Sequence, residues 1–105
     1  MINQVMLVGR LSEDPRVRAN AVDLTLDLER APRDYSPGGQ CSVYVRATGS
    51  DKQRDAWMKY LTKGRAVLVQ GYLAAFEHGL GVLGDRVEFV EDGLVSHALD
   101  ARSMA

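Results

Sequence analysis

Residues 22–29 alternate without a break between apolar and polar side chains, in the order VDLTLDLE. Because successive side chains of a strand point to opposite faces, this period of two predicts a half-buried β-strand. Its inward side chains are Val22, Leu24, Leu26 and Leu28. An apolar face of a sheet is stable only when a second layer covers it, and a chain of 105 residues has room for about one such domain.

Four further segments are apolar and β-branched enough to form strands. These strands are predicted at residues 4–11, 41–48, 66–76 and about 82–90. Gly9 and Gly71 lie inside two of them and indicate a bend or bulge. Residues 31–40 contain two prolines and two adjacent glycines, which predicts an exposed loop, and residues 78–81 predict a tight turn.

One segment, residues 51–63, has helical spacing instead. Ser50 is a typical N-cap, Trp57 and Tyr60 fall on one apolar face, and Gly64 is a typical stop signal. The order is therefore three strands, one helix and two strands. That order predicts an all-β fold, a five-stranded Greek-key barrel of the OB-fold type with one short helix between strands 3 and 4. Other small β-rich domains with a single helix would show a similar pattern.

The charge of the chain is nearly balanced, with 13 Lys and Arg against 14 Asp and Glu and a net charge of −1. Proteins that bind nucleic acid through phosphates alone usually carry a basic excess. A nucleic-acid site in this chain would therefore depend on local clusters of basic groups and on stacking.

The sequence contains no arrangement typical of an enzyme, and we predict neither a catalytic site nor a cofactor. Cys41 is the only cysteine, which excludes an intrachain disulfide and a zinc site built from cysteines. Two histidines are too few for a metal site of three or four ligands, so no metal is predicted. The chain has neither a secretory signal pattern nor an apolar run of the roughly 20 residues that span a membrane, so we expect a cytoplasmic protein without membrane contact.

Four stretches, in order along the chain, carry a specific resemblance. They are NQVMLVGRL at 3–11 with DPRVR at 14–18, YLTKG at 60–64, VLVQGYL at 67–73, and VLGDRVEFV at 82–90. This set resembles the bacterial single-stranded DNA-binding proteins and covers most of residues 2–91. The resemblance implies an OB-fold subunit that forms a homo-oligomer, commonly a tetramer, and coats single-stranded DNA without reading its sequence.

The resemblance also implies which rings stack on bases. Tyr44 lies where the family usually has a stacking Trp, and His78 lies near the position of another. Tyr35, in the loop after strand two, is near a further family aromatic. Tyr72 and Phe76 on strand four are additional candidates. Stacking platforms beside a basic track are what sequence-tolerant binding requires.

Arg46 is the basic residue that best complements these rings, because it follows Tyr44 by two residues and shares its face of the strand. Other basic candidates for contacts with phosphates are Arg10, Arg16, Arg18, Lys52, Lys63 and Arg65. Arg16 and Arg18 flank a loop and are expected to be solvent-exposed. Two alternatives stand beside this interpretation: Arg46 pairs with an acidic neighbour, and Tyr44 packs against another subunit. The aromatic residues predicted to lie in the core are Trp57, Tyr60 and Phe89.

Two departures from the family pattern bear on function. The turn between strands four and five is much shorter than the long hairpin typical of the family, and the chain ends in DARSMA rather than in an acidic tail that recruits other enzymes. We expect residues 1–92 to form the binding domain and residues 93–105 a short flexible tail. The functions predicted are protection of single-stranded DNA in replication, repair or recombination or, alternatively, a primosome-type adaptor, often a dimer, or an OB domain that has lost DNA binding.

Overall fold

The computed structural model describes residues 1–30 and 38–90, and these residues form six strands and one helix. The elements are β1 (Val5–Leu11), β2 (Arg16–Arg18), β3 (Ala21–Arg30), β4 (Gly39–Thr48), α1 (Asp51–Tyr60), β5 (Ala66–Phe76) and β6 (Gly79–Phe89). A mostly-β fold with one helix is thereby confirmed. The predicted count of five strands was wrong, because the three residues of β2, too few to show a period, pair with β3.

The strands form one sheet in the order β1-β5-β6-β4-β3-β2. The first strand has two partners: it pairs with β5 through Val5 to Arg10 and with β3 through Arg10 and Leu11. All pairs are antiparallel except β4 with β6. The pairings of β1, β5, β6, β4 and β3 therefore run in a closed ring, and β2 lies outside it. A closed ring leaves fewer unpaired strand edges than an open sheet.

The side chains predicted to point inward from β3 do so. Val22, Leu24 and Leu26 are at most 2% exposed, while Leu28 is half-buried against the same core. Full burial of one such side chain contributes roughly 1.5–3 kcal/mol. The regular alternation of this segment thus corresponds to a strand with one face in the core.

The helix covers one side of this core with Trp57, which is 5% exposed. Its first turn is closed by a capping box, in which Ser50 accepts from the Gln53 backbone and the Gln53 side chain accepts from the Ser50 backbone. The helix ends at Tyr60, three residues before the predicted end. Leu61 takes an extended conformation and is buried, so packing of Leu61 stops the helix before Gly64.

Two glycines mark places where backbones approach closely. A Cβ atom on Gly9 would lie 2.6 Å from the Asp27 carbonyl oxygen, because β1 meets β3 there. The register between β5 and β6 shifts at Gly71, where a Cβ atom would collide with the Leu83 carbonyl group. A bulge is therefore present at Gly71, and at Gly9 the constraint is the contact between two strands.

Gly71→Ala is expected to lower the free energy of unfolding by about 2–3 kcal/mol, because two backbones must separate to admit the methyl group. The matched control is Gly39→Ala, since Gly39 is also in a strand but has open space around it. Urea denaturation at one protein concentration measures both changes. Equal effects of the two substitutions would contradict the close approach at Gly71.

Candidate nucleic-acid interface

Three aromatic rings meet where the middle of β4 lies beside the end of β5 and the turn after it. We call Tyr44, Phe76 and His78 the ring cluster. The Tyr44 ring centroid lies 5.0 Å from that of Phe76 and 4.4 Å from that of His78, with interplanar angles of 88° and 74°. Phe76 and His78 are 6.1 Å apart and tilted by 34°. Edge-to-face contacts of this kind stabilise aromatic pairs by about 0.5–1.5 kcal/mol beyond their buried area.

Strand pairing brings the ring cluster together. β4 lies parallel to β6, and β5 returns to β6 through a two-residue turn at 77–78, with Phe76 opposite Gly79. Gly79 has a φ of +125°, a conformation that favours glycine. The turn was predicted at 78–81, but it begins one residue earlier and ends three residues earlier, because β6 already begins at Gly79. As a result His78 is held beside β4.

Arg46 joins the rings through its guanidinium group. Its Cζ atom lies 4.7 Å from the Phe76 centroid and 5.8 Å from the Tyr44 centroid, and its Nε donates a 3.1 Å hydrogen bond to the Tyr44 hydroxyl. A cation over an aromatic face is attracted by the ring quadrupole. Tyr44 and Arg46 therefore lie on one face of β4, as their spacing predicts.

Asp23 on β3 connects this surface to a second arginine. The Tyr44 hydroxyl donates a 2.8 Å hydrogen bond to Asp23 Oδ1, and Arg18 Nε on β2 donates one of 2.9 Å to Asp23 Oδ2. Arg46 Nε lies 3.8 Å from Asp23 Oδ1. The alternative that Arg46 pairs with an acidic neighbour is thus present in the structure, together with its contacts to the rings.

Asp23 is the site residue that the sequence analysis did not identify, and Arg18 was expected there only as a solvent-exposed basic residue beside a loop. Asp23 was recognised only as a polar position of an alternating strand. The signal that would have placed it is the register of β3 with β4, in which Asp23 lies opposite Arg46. Register follows from pairing across the whole sheet, so local periodicity does not determine it.

The electrostatics of the site favour protonated Tyr44 and charged Arg18. Burial raises the pKa of the Tyr44 hydroxyl, its hydrogen bond to Asp23 raises this pKa further, and Arg46 acts in the opposite direction. The hydrogen bond to Asp23 also raises the pKa of Arg18. Tyr44 therefore acts as a hydrogen-bond donor to Asp23 at neutral pH.

The other predicted site residues that the structure describes lie outside the ring cluster. Arg10 on β1 donates from Nη1 to the Gly64 carbonyl oxygen at 3.1 Å, and exposed Lys63 is the residue before that glycine. Lys52 is exposed in the first turn of α1. Tyr72 is 41% exposed on β5. Tyr35 lies outside the described residues.

A second pair of aromatic rings lies on the surface. Tyr60 and Phe89, both predicted to be core residues, are 53% and 43% exposed, so that prediction was wrong for both. Their ring centroids are 6.2 Å apart at 89°, with Lys59 over Tyr60 and Arg65 over Phe89. Both residues lie at the ends of their elements, where an apolar pattern no longer determines which side chain faces the core.

Across residues 1–30 and 38–90, no group of three or more His, Cys, Asp or Glu side chains is arranged to hold a metal ion. Cys41 is exposed as a free thiol. In the same part of the chain, no helix has the length and apolar character needed to cross a membrane. The surface that stands out for chemistry is therefore the ring cluster with Arg46, Asp23 and Arg18.

A mostly-β fold that presents aromatic rings and guanidinium groups on one surface is typical of small domains that bind single-stranded nucleic acid. Comparison with known families agrees with this class. The model of the Single-strand binding protein family matches residues 2–78, well over half of the chain. The chain belongs to this family.

Two curated proteins illustrate the relationship. The single-stranded DNA-binding protein of Thermotoga maritima is 33% identical over 75 residues, which cover 66% of this chain and 53% of that protein. The single-stranded DNA-binding protein B of Bacillus subtilis is 34% identical over 105 residues, covering 87% of this chain and 92% of that protein. The chain thus spans about half the length of the first relative and nearly all of the second.

Solved structures show the same fold. A Plasmodium falciparum SSB in complex with ssDNA superposes with a TM-score of 0.71 at 22% identity, covering 87% of this chain and 96% of that chain. The single-stranded DNA binding protein of Thermus aquaticus gives a TM-score of 0.72 at 25% identity, covering 87% of this chain and 51% of the other. This chain therefore shares its mostly-β architecture with one helix with these two solved structures.

Asp23→Asn is expected to lower the pKa of Tyr44, because the negative carboxylate disfavours a neighbouring tyrosinate. Tyrosinate absorbance measures this pKa, and subtraction of a matched Tyr44→Phe protein isolates Tyr44 from the other three tyrosines. An unchanged Tyr44 titration would contradict the contact with Asp23.

The raised pKa of Tyr44 also has a consequence for stability. The unfolded chain loses this proton first, near pH 10.0, so the free energy of unfolding is expected to fall as the pH rises above that value. Tyr44→Phe should remove this part of the pH dependence in urea denaturation experiments. If the free energy of unfolding depended on pH above pH 10.0 in the same way in Tyr44→Phe and in the unaltered protein, the role of Tyr44 would be contradicted.

Proposed function

We propose that this chain binds single-stranded DNA without reading its sequence, through the ring cluster and Arg46. The observation that carries the proposal is the contact of three rings with one guanidinium group on a single surface. A single strand exposes flat base faces and a flexible phosphate chain. Rings provide stacking, which contributes roughly 1–3 kcal/mol per base, and arginine provides phosphate contacts.

Membership of the Single-strand binding protein family supports this function, as do the names of the two bacterial relatives. Neither the primosome-type adaptor nor an OB domain without DNA binding is favoured by these relationships. We propose that the protein protects single strands in replication, repair or recombination in the cytoplasm, as a binding protein rather than an enzyme, and without a metal or cofactor.

We further propose that the closed ring of five strands is the Greek-key OB barrel, with β2 as a short addition beside β3. Residues 1–92 would make up the binding domain and residues 93–105 a tail. At the margins of the binding face, Arg10, Lys52 and Lys63 would contact phosphates, and Tyr35 and Tyr72 would offer further rings. The nearly balanced net charge supports a site in which stacking contributes a large share of the affinity.

Oligo-dT is expected to bind the protein with submicromolar affinity that weakens as salt increases. Tyr44→Ala and Arg46→Ala should each weaken binding by about tenfold, since the loss of one stacking or phosphate contact is of the order of 1.4 kcal/mol. Fluorescence anisotropy of labelled oligo-dT at several salt concentrations measures these changes.

The matched control for this titration is Tyr60→Ala, which removes a ring that contacts Phe89 rather than the ring cluster. It should leave the affinity unchanged. No detectable binding by the unaltered protein would overturn the proposed function. Full affinity in the double variant of Tyr44 and Arg46 would instead place the DNA on another surface.

We also propose that the protein is a homo-oligomer, a tetramer in preference to a dimer, that forms around the first half of β1. Among the described residues, 5–9 pair with β5 along one edge, while β3 pairs only with the last two residues of β1. Large apolar side chains are exposed nearby, with Met6 at 54% and Leu73 at 49%. An unpaired edge beside exposed apolar groups favours pairing with another chain.

Light scattering should give a mass of about 46 kDa, four times the 11.6 kDa of one chain, rather than the 23 kDa of a dimer. Met6→Glu should reduce this mass, because it places a charge beside the exposed edge. Val17→Glu is the control, since Val17 is also exposed but lies on β2. A monomeric unaltered protein, or equal masses for the two variants, would contradict this assembly.

A further inference from the structure

The carboxylate of Asp23 lies in the middle of the proposed binding face and is already engaged. Its Oδ2 accepts a hydrogen bond from Arg18, and its Oδ1 accepts one from Tyr44 and lies 3.8 Å from Arg46. The Asp23 side chain is 18% exposed, compared with 29% for Arg46 and 53% for Arg18. One carboxylate thus contacts the guanidinium groups of Arg18 and Arg46 and the hydroxyl group of Tyr44.

A carboxylate and a phosphate compete for the same groups. Both offer paired anionic oxygens to a guanidinium group, and hydrogen bonds of this charge-assisted kind are about twice as strong as neutral ones. A phosphate that approaches Arg18 or Arg46 must therefore displace Asp23 or share the arginine with it. It also experiences repulsion from the Asp23 charge, which is screened only partly at a distance of a few ångströms.

We propose that Asp23 is an internal competitor for the DNA backbone and sets the affinity of this face for single strands below what its two arginines and rings would otherwise provide. This inference rests on the proposed function, because it describes how the same face binds. In this role Asp23 lowers the affinity for DNA without contacting it, through its contacts with Arg18, Arg46 and Tyr44.

The other acidic groups near β3 have different partners. Asp27 accepts a hydrogen bond from Ser42, and Glu13 contacts Arg16 and accepts from Thr25. Neither is paired with an arginine that contacts the ring cluster. Asp27 is therefore a matched control, because its replacement by Asn changes the net charge by the same amount and on the same strand.

The test is the affinity for labelled oligo-dT over a series of salt concentrations. Asp23→Asn removes the charge and keeps one oxygen that can accept from Tyr44, while its amide NH2 group cannot accept from Arg18. It should bind about tenfold more tightly at low salt, and the dependence of log K on log salt should steepen by about 0.7 for each additional phosphate contact. Asp27→Asn should change the affinity by less than about twofold, because charges that do not engage the site contribute little.

A second comparison assigns the gain to the arginines. In a protein that carries Arg18→Gln and Arg46→Gln, the substitution Asp23→Asn should give a much smaller gain than in the unaltered protein, since no arginine remains to be released and only the repulsion is removed. A gain of full size in that background would overturn the proposal. Thermal unfolding of each variant, followed by circular dichroism, establishes that all of them are folded at the temperature of the titration.

Asp23→Ala separates competition from positioning. If Asp23 competes with phosphate, this variant also binds more tightly than the unaltered protein. Weaker binding by Asp23→Ala would mean that Asp23 orients Tyr44 and Arg46 for the DNA, and it would overturn the proposal. Absence of any binding by the unaltered protein contradicts the proposed function itself, whereas binding that Asp23→Asn does not tighten contradicts only this inference.

Discussion

The fold depends on the point at which β1 leaves β5 and pairs with β3. Arg10 and Leu11 lie opposite Asp27 and Leu26, and this pairing closes the ring of strands around the core. Gly9 is the constraint behind it, because any side chain there would meet the Asp27 backbone. The ring also includes the parallel pairing of β4 with β6. This pairing brings the β5–β6 turn beside Tyr44, at the face that we propose binds DNA.

Interior positions of long elements could be predicted from the sequence. The alternation from Val22 to Leu28 and the helical position of Trp57 each depend on local period and on burial, and both are observed. Tyr44 and Arg46 could likewise be assigned to one face, since only their spacing mattered. These are features for which neighbouring residues contain all the information.

Features that depend on pairing between distant segments could not be predicted in this way. The short β2 has no period of its own, Leu61 leaves the helix because the core accommodates it, and Tyr60 and Phe89 lie at element ends where the surface begins. The contact of Asp23 with Tyr44 belongs to the same group. It links residues 21 positions apart through a register that the whole sheet determines.

The two-residue turn between β5 and β6 has a consequence for the kinetics of association. A long hairpin that wraps a ligand must be ordered when the ligand binds, and this ordering costs conformational entropy and slows productive encounters. Here the strands pair as far as Phe76 and Gly79, so His78 is positioned by the hairpin before any strand arrives. The rings are thus pre-organised, and a single strand bound at the proposed face would require little rearrangement of them.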